Sequence, residues 1–218
     1  QDGGVGAAGA NMDWKMENAT RMKSEKKRVL VFATHNANKA KEVQQMLGPT
    51  FEVKTLNDIG CDEDIPETAN TLEGNARIKA QHVVDNYGLD CFADDTGLEV
   101  QALEGRPGVH TARYAGPQAS ASDNMAKLLN ALTDAEDRVA QFRTVFCIVR
   151  AGKEAFVEGV CRGHIAHEKS GVDGFGYDPV FIPEGMDCTF AEMTTEAKNA
   201  VSHRGKAVRF MVNTLLES

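Results

Sequence analysis

Hydrophobic and polar residues along this chain form short apolar runs that alternate with segments of helical periodicity. Residues 29–33 are a continuous apolar run, which is typical of a strand buried on both faces. An apolar stripe over residues 43–47 predicts a helix that stops at Gly48. Residues 51–56 predict a second strand.

The later segments extend this pattern. Helical spacing predicts further helices over residues 72–87, 122–132 and 203–216. Apolar runs predict a buried strand at residues 91–93 and an antiparallel hairpin of residues 142–149 and 155–161 that turns at 151–153. Because strands first alternate with helices and then pair as a hairpin, we predict an α/β fold with a central mixed β-sheet and flanking helices.

Residues 1–27 lack this regularity. Glycine and alanine dominate the first ten residues, and the next segment is charged without a sustained apolar face. We predict a disordered N-terminal tail or cloning remnant there and a single domain over residues 28–218. Gly4, Gly6 and Gly9 match the dinucleotide-binding spacing GxGxxG, but the strand and helix that this motif requires are not predicted around it.

Composition narrows the classes of function. The 218 residues are 42% hydrophobic and 26% charged, which fits one globular domain. The net charge of −8 disfavours nucleic acid, whereas a phosphorylated small molecule can bind where a basic pocket or a metal offsets the charge. Five scattered cysteines without CxxC spacing predict reduced thiols in the cytoplasm, and neither disulfides nor a zinc motif. No apolar run reaches the roughly 20 residues of a membrane span, and no signal-peptide core is present, so no membrane partner is expected.

A polar loop between the first strand and the first helix is one candidate for chemistry. It contains hydroxyl, amide and ammonium donors among the residues Thr34, His35, Asn36, Ala37, Asn38 and Lys39. The amides and dipole of a helix start favour an anion such as phosphate, although an ordinary polar connection has the same composition. Glu42 lies one turn after Lys39, as a surface ion-pair partner or as a metal carboxylate.

Asp94 and Asp95 directly follow the apolar run at residues 91–93. At least one of them is therefore expected at the end of a strand. Two ionised neighbouring carboxylates require a cation, and Mg²⁺ suits such ligands. A turn capped by aspartate is the alternative, because Asp and Gly are common turn residues. The segment by itself leaves both interpretations open.

Two segments near the C-terminus carry groups that suit a nucleotide. The first places two aromatic rings and a carboxylate among glycines, in Phe175, Gly176, Tyr177 and Asp178. Such rings either stack on a flat base or belong to a turn with core aromatics. The second offers cationic donors for a base carbonyl or a phosphate, or is a solvated helix start; it contains Lys198, His203 and Arg204.

Four ordered blocks between residues 29 and 216 resemble the inosine triphosphate pyrophosphatase family. They are Thr34-x-Asn36-x-x-Lys39-x-x-Glu42, then Asp94-Asp95-Thr96-Gly97 with Gly105-x-Pro107-Gly108, then Gly174-Phe175-Gly176-Tyr177-Asp178-Pro179, and finally Lys198-Asn199 with Ser202-His203-Arg204-Gly205. The resemblance implies Mg²⁺-dependent hydrolysis of ITP, dITP and XTP to the monophosphate and pyrophosphate, which cleanses the nucleotide pool and prevents misincorporation. It also implies an elongated, two-lobed homodimeric protein with the active site in a cleft between the lobes.

The resemblance assigns a role to each candidate residue. Asp95 is the expected proton acceptor and, with Glu42, a Mg²⁺ ligand. The substrate contacts are expected from Thr34 to Lys39, Thr96, Phe175 to Asp178, Lys198, His203 and Arg204. Two departures stand out: Thr96 replaces the usual serine, and Gly74 replaces a glutamate that often precedes Asn75. The roles of Asp94, Glu67 and Glu73 stay open.

Base selectivity follows from hydrogen-bond chemistry. A donor such as Arg204 or a backbone amide at the 6-oxo group of hypoxanthine rejects adenine, by up to about 10⁴-fold. The residue that excludes guanine is not evident. Two alternatives remain, namely a nucleotide sensor that does not hydrolyse its ligand and a pyrophosphatase for modified pyrimidine nucleotides. Glu42, Asp94 and Asp95 argue against the sensor, which needs no carboxylate to activate water.

Overall fold

The structure, a computed structural model, describes residues 26–217. Within that range one sheet contains seven strands: β1 (Arg28–Phe32), β2 (Phe51–Lys54), β3 (Cys91–Val100), β4 (Pro107–Gly108), β5 (Val139–Arg150), β6 (Lys153–Ile165) and β7 (Phe181–Pro183). Five α-helices accompany it: α1 (Ala37–Leu47), α2 (Leu72–Tyr87), α3 (Ala121–Ala131), α4 (Thr195–Val201) and α5 (His203–Leu216). The predicted tail, apart from residues 26 and 27, and the GxGxxG match lie outside the described residues. No helix in the described range is both long and apolar enough to cross a membrane.

The helix ends follow the local chemistry. The side chain of Asn36 accepts the amide of Lys39 at the start of α1, and that of Thr71 accepts the amide of Gly74 at the start of α2. Gly88 ends α2 in the left-handed conformation, with φ 62°. The predicted bounds of α2 and α5 agree with the structure, since capping and apolar periodicity act within the segment itself.

The sheet is mixed, as predicted. Its order is β2-β1-β3-β5-β6-β7, with β1 parallel to β2 and β3, and with β3, β5, β6 and β7 successively antiparallel. Strand β3 is longer than the apolar run at residues 91–93 that predicted it. It continues through Asp94 and Asp95 to Val100, so the expectation that a strand ends at these aspartates is wrong, as is the capped-turn alternative. All ten residues of β3 pair with β5, so the polar residues that follow the apolar run remain in the strand.

One edge of β3 is paired at both ends but not in the middle. Strand β5 occupies one edge along the whole length of β3, so β1 and β4 share the other edge. On that edge β1 pairs with Cys91 and Phe92, and β4 pairs with Leu98 and Glu99. Residues 94–97 therefore border a gap in the sheet.

Three groups of buried side chains surround this gap. Helices α1 and α5 cover one face of the sheet around Phe32, Phe92 and Phe146, whereas α2 covers the other face around Ala33 and Ala93. A third group lies towards the far ends of β3, β5 and β6; it contains residues of α3 together with Phe142, Phe181 and Phe190. The aspartates thus lie where the first two groups give way to the third.

Candidate active site

The start of α1 forms one side of the site. Thr34 is buried, and its hydroxyl accepts the amide of Asn36, which in turn caps the helix. The predicted polar loop is therefore short, and Ala37, Asn38 and Lys39 form the first turn of α1. Amides of a first turn have no intrahelical acceptor; that of Lys39 is taken by the cap, so those of Ala37 and Asn38 are available to an anion.

His35 points away from the other members of its loop. Its Nδ1 lies 3.0 Å from Oδ1 of Asn57, and its Nε2 lies 3.0 Å from the carbonyl oxygen of Glu63. The ring thus connects the loop to the segment after β2. The structure does not bring this side chain together with the remaining predicted substrate contacts.

Lys39 forms an ion pair with Asp94. The two side chains are 3.0 Å apart between Nζ and Oδ2, and Asp94 is completely buried. Burial acts to raise the pKa of Asp94, but Lys39, Lys79 and Arg204 outweigh it and hold the pKa well below its usual range. Asp94 is therefore a permanent anion that fixes Lys39, and within the described residues its Oδ1 has no hydrogen-bond partner.

Asp95 faces the opposite side of the sheet. Its Oδ2 accepts the side-chain amide of Asn75 on α2 at 3.0 Å, and its Oδ1 accepts the backbone amide of Thr96 at 3.0 Å. Burial, aided by the charge of Glu67 and opposed by Lys79, raises the pKa of Asp95 to about 6. A carboxylate with this pKa is ionised at neutral pH and is a competent proton acceptor.

Glu67 and Lys79 complete the surroundings of Asp95. Lys79 is buried and donates to Oε1 of Glu67 at 3.1 Å. Glu73, by contrast, pairs with Arg143 at 2.9 Å and makes no contact with Asp95. A Cβ atom on Gly74 would lie 2.6 Å from Cβ of Ala69, so the glutamate common at this place in the family does not fit without a shift.

Glu42 lies in a second buried ion network. Its Oε1 accepts Nζ of Lys198 at 2.7 Å, and its Oε2 accepts Nη1 of Arg204 at 2.8 Å. The alternative of a surface ion pair with Lys39 is therefore wrong, because Lys39 is committed to Asp94. Glu42 shares cations with the residues before α5 and has no contact with Asp95.

Lys198 and Arg204 also approach an aromatic ring. Nζ of Lys198 lies 4.9 Å, and Cζ of Arg204 lies 5.5 Å, from the ring centroid of Phe175. Tyr177 in the same segment is a core residue whose hydroxyl donates to the carbonyl of Thr111 at 2.7 Å. The sequence left base stacking and core packing open for these rings. Phe175 is half-buried beside the cations, whereas Tyr177 packs inside the protein.

Asp178 stabilises the glycine-rich segment. Its Oδ2 accepts Nζ of Lys198 at 2.7 Å and the backbone amide of Phe175 at 3.0 Å. Gly174, with φ 76°, packs so closely on this carboxylate that a Cβ atom there would collide with Oδ2 of Asp178. The segment therefore curls around a buried acid, which orients Phe175.

His203 is neutral. Burial, together with the charges of Arg204, Lys198 and Lys39, lowers its pKa well below 6.5. Its ring stacks on Phe142 with centroids 4.6 Å apart. The prediction of a cationic donor is thus wrong for His203, and the alternative of a solvated helix start is wrong for Lys198, His203 and Arg204, all of which are buried.

One cavity of about 320 Å³ collects most of the predicted residues. It is lined by Asn36, Asn38, Lys39, Thr96, Phe175, Gly176, Tyr177, Asp178, Lys198, His203 and Arg204. Its floor also includes residues that sequence reasoning missed, namely Thr111, Ala112, Ala119, Ala121, Asn124 and Phe142. Phe142 belongs to the third buried group, Ala121 and Asn124 to α3, and the other three to the segment before α3, so the cavity lies between this part of the protein and helices α1 and α5.

The surroundings of Asp95 were only partly predicted, because Glu67 and Asn75 were named without a role and Lys79 was missed. The three residues are 16–28 positions from Asp95 in the chain; Asn75 and Lys79 have the spacing of ordinary core positions in α2, and Glu67 precedes that helix. The signal available in the sequence was a charged residue, Lys79, among the apolar positions of α2, together with the carboxylate of Glu67 in the preceding loop. Two carboxylates, Asp95 and Glu67, on one side of the gap form the oxygen-rich donor set that a hard divalent cation prefers.

Comparisons with known proteins identify the family of this chain. The Ham1 family model matches residues 30–214. A protein of Flavobacterium johnsoniae named dITP/XTP pyrophosphatase is 54% identical over 186 residues, which cover 85% of this chain and 97% of that protein. One of Porphyromonas gingivalis with the same name is 53% identical over 188 residues, covering 86% and 97%.

Solved structures give the same result. The Ham1 protein of Staphylococcus aureus has a TM-score of 0.79 at 36% identity and covers 87% of this chain and 99% of its own. A nucleoside-triphosphatase/dITP/XTP pyrophosphatase of Mycobacterium abscessus has a TM-score of 0.68 at 42% identity, covering 84% and 98%. The predicted α/β fold and the family resemblance are both confirmed.

Proposed function

Because this chain belongs to the Ham1 family, we propose that it hydrolyses non-standard purine nucleoside triphosphates, among them ITP, dITP and XTP, to the monophosphate and pyrophosphate. By removing these nucleotides, the enzyme cleanses the pool from which DNA and RNA are made. The relatives named dITP/XTP pyrophosphatase cover most of the chain, which supports the same chemistry here.

One observation carries the proposal. A single cavity joins the start of α1 and Lys39 to the ring of Phe175 and the cations Lys198 and Arg204. The first part suits a triphosphate, because helix amides and an ammonium group attract phosphate oxygens. The second suits a base, because an aromatic ring stacks on its flat face.

Asp95 acts as the general base in this proposal. It takes a proton from a water molecule as the water oxygen forms a bond to the α-phosphorus. The bond between the α-phosphorus and the oxygen that bridges to the β-phosphorus breaks, and pyrophosphate leaves with that oxygen. Lys39, held by Asp94, stabilises the charge on the departing group.

Asp95 and Glu67 would hold the Mg²⁺ ion that this chemistry uses. Their fit rests on donor chemistry: burial and the negative charge of Glu67 both raise the pKa of Asp95, and a hard divalent cation bound there would offset both effects. Held by these two carboxylates, the ion would supply Lewis-acid stabilisation of the phosphate charge. Both carboxylate oxygens of Glu42 already accept hydrogen bonds from Lys198 and Arg204. We therefore assign Glu42 to the positioning of these two side chains instead of to the metal.

Arg204 is the proposed donor for purine selection. Its guanidinium lies on the cavity, and within the described residues its Nε has no hydrogen-bond partner. A donor that faces position 6 of the base forms a hydrogen bond to the oxo group of hypoxanthine or xanthine. In adenine the same donor faces the 6-amino group, which is also a donor. Neutral His203, stacked on Phe142, supports the neighbouring wall without adding charge.

Pyrophosphate release tests the function directly. The purified chain with Mg²⁺ should hydrolyse ITP and XTP much faster than ATP, GTP or dUTP. Binding of ITP without pyrophosphate release would identify a nucleotide sensor, and a preference for dUTP would identify a pyrimidine enzyme. Equal rates on all purines would contradict the proposed selection at position 6.

We also propose that the protein is a cytoplasmic homodimer. The family resemblance supports the dimer, and light scattering of the purified chain tests it. The five free cysteines support a reducing compartment.

A further inference from the structure

A group of metal-ligating side chains lies outside the cavity, where the segment after β2 meets the second half of α2. Sγ of Cys61 is 4.0 Å from Nε2 of His82, and the same nitrogen is 3.0 Å from Oε1 of Glu63. One ligand atom of each residue lies within 4.8 Å of the other two. None of the three lines the cavity or contacts Asp95.

We propose that Cys61, Glu63 and His82 bind one Zn²⁺ ion, with water as the fourth ligand. Tetrahedral zinc with bonds of about 2.3 Å to sulfur and about 2.0–2.1 Å to nitrogen and oxygen separates its ligand atoms by about 3.4–3.6 Å. The observed separations of 4.0 and 3.0 Å from the His82 nitrogen bracket these values, and the third separation, between Cys61 and Glu63, is at most 4.8 Å. Side-chain shifts of about 1 Å therefore suffice to bring the three ligand atoms to the spacing of a zinc site.

The donor set selects the class of metal. A thiolate and an imidazole favour Zn²⁺ over the hard Mg²⁺ ion proposed at the carboxylates of Asp95 and Glu67. Glu63 stands in an acidic run with Asp62 and Asp64, which all lie on the surface and attract cations. Cys61 itself is buried, so the ion is reached from the side of the half-exposed His82.

Neighbouring groups provide the second shell that such a site requires. The hydroxyl of Tyr87 donates to Oε1 of Glu63 at 3.3 Å, and Nδ2 of Asn86 lies 3.4 Å from Nδ1 of His82. Binding releases the thiol proton of Cys61 to solvent and leaves the single imidazole proton of His82 on Nδ1. Nδ2 of Asn86 donates to the carbonyl oxygen of His82 at 2.9 Å, so a water molecule accepts the hydrogen bond from Nδ1 at this half-exposed ring.

The position of the site gives it a structural consequence. His82 is one helical turn beyond Lys79, and Lys79 pairs with Glu67 at 3.1 Å. Zinc would therefore join the beginning of the segment 61–67 to α2, while the ion pair already joins its end. The ion should stabilise this segment, which carries the Glu67 carboxylate beside Asp95.

Cobalt titration tests the ligands. Chelator-treated full-length protein is titrated with Co²⁺, whose thiolate charge-transfer absorption reports sulfur ligation, and Zn²⁺ is then added as competitor. We expect this absorption in the wild type, its loss in Cys61→Ser, and binding weakened at least about tenfold in His82→Gln. The matched controls Cys188→Ser and His164→Gln should behave as wild type. Absorption that persists in Cys61→Ser, or Co²⁺ bound with no thiolate band, would overturn the proposal.

A second measurement does not depend on a substitution in the core. Glu63 is on the surface, so Glu63→Gln leaves the buried Cys61 unchanged. Glu63→Gln and an exposed control, Glu52→Gln, are both made in an Asp95→Asn background, so that the proposed Mg²⁺ site contributes less to metal binding. Zn²⁺ should raise the Tm of the background protein and of the exposed control Glu52→Gln, and raise it less in Glu63→Gln. An equal rise in all three would rule the site out.

Discussion

Asp94 and Asp95 are neighbours in the chain, but their carboxylates lie on opposite faces of the sheet. Asp94 pairs with Lys39 of α1, whereas Asp95 accepts a hydrogen bond from Asn75 of α2. The alternation of side chains along a strand separates them. In the proposed function both would act on one ligand across the gap in the sheet between β1 and β4.

Asp95→Asn should lower the rate of ITP hydrolysis by about a hundredfold or more, because the amide cannot accept the proton from water. Nucleotide binding should persist, because Asn fills the same space. Pyrophosphate release and equilibrium binding of ITP measure the two effects separately. Turnover close to that of the wild type would transfer the role of base to another residue, with Asp94 the first candidate.

The same substitution should stabilise the metal-free fold at neutral pH. The pKa of Asp95 is raised to about 6 in the folded state, so its ionised form opposes folding. Relative to the unfolded chain, its contribution is favourable below about pH 3.8 and is lost as the pH rises through 6. We expect Asp95→Asn to increase the free energy of unfolding by about 1–3 kcal/mol at pH 7, since one pKa unit corresponds to about 1.4 kcal/mol. Urea unfolding with a chelator at pH 7 and pH 4 measures this; a gain that does not shrink at pH 4 would contradict it.

Asp94→Asn should have the opposite effect on stability. The pKa of Asp94 is held low, so the carboxylate stabilises the fold above its unfolded pKa near 4, and this contribution is lost as the pH falls. Removing it leaves Lys39 buried without its counter-charge, which typically costs about 3–5 kcal/mol. Urea unfolding at pH 7 beside Asp95→Asn provides a matched comparison, and an unchanged midpoint would show that Asp94 is not needed as an anion.

Glu67→Gln and Glu42→Gln distinguish the two proposed roles of these carboxylates. Loss of a metal ligand should raise the Mg²⁺ concentration for half-maximal activity, by about tenfold or more in Glu67→Gln. Glu42→Gln should instead raise the KM for ITP, because Lys198 and Arg204 lose their acceptor. Glu73→Gln, which removes only the contact with Arg143, is the control. If only Glu42→Gln changes the Mg²⁺ requirement, Glu42 is a metal ligand, as the family resemblance implies.

Phe175→Leu should weaken ITP binding by about 1–3 kcal/mol, the usual contribution of one base stacked on an aromatic ring. Leucine keeps an apolar side chain but removes the ring that faces Lys198 and Arg204. Tyr177→Phe is the matched control, because it loses only the hydrogen bond to Thr111. Calorimetry with ITP in the absence of Mg²⁺ measures both. Equal losses in the two variants would show that Phe175 acts through the fold and not through the base.

Much of the site was predictable because its residues occur in short segments with local signals. Asn36 caps a helix, Gly174 permits a left-handed turn, and Phe175 follows it directly. Such features depend on the segment itself, so the order of four segments was sufficient to identify the family and most of the cavity.

The sequence by itself determined most of the strands and helices, the mixed sheet, the family and the candidacy of Asp95. It did not give β4, β7, α4 or the full length of β3. The tertiary structure alone decided which charges meet. Lys39 pairs with Asp94 across 55 positions, Glu42 reaches Arg204 across 162, and the charge of Glu67 adds to the burial that raises the pKa of Asp95. The physical reason is that a carboxylate's pKa and its partner depend on burial and on charges brought close by packing, which spacing along the chain does not encode.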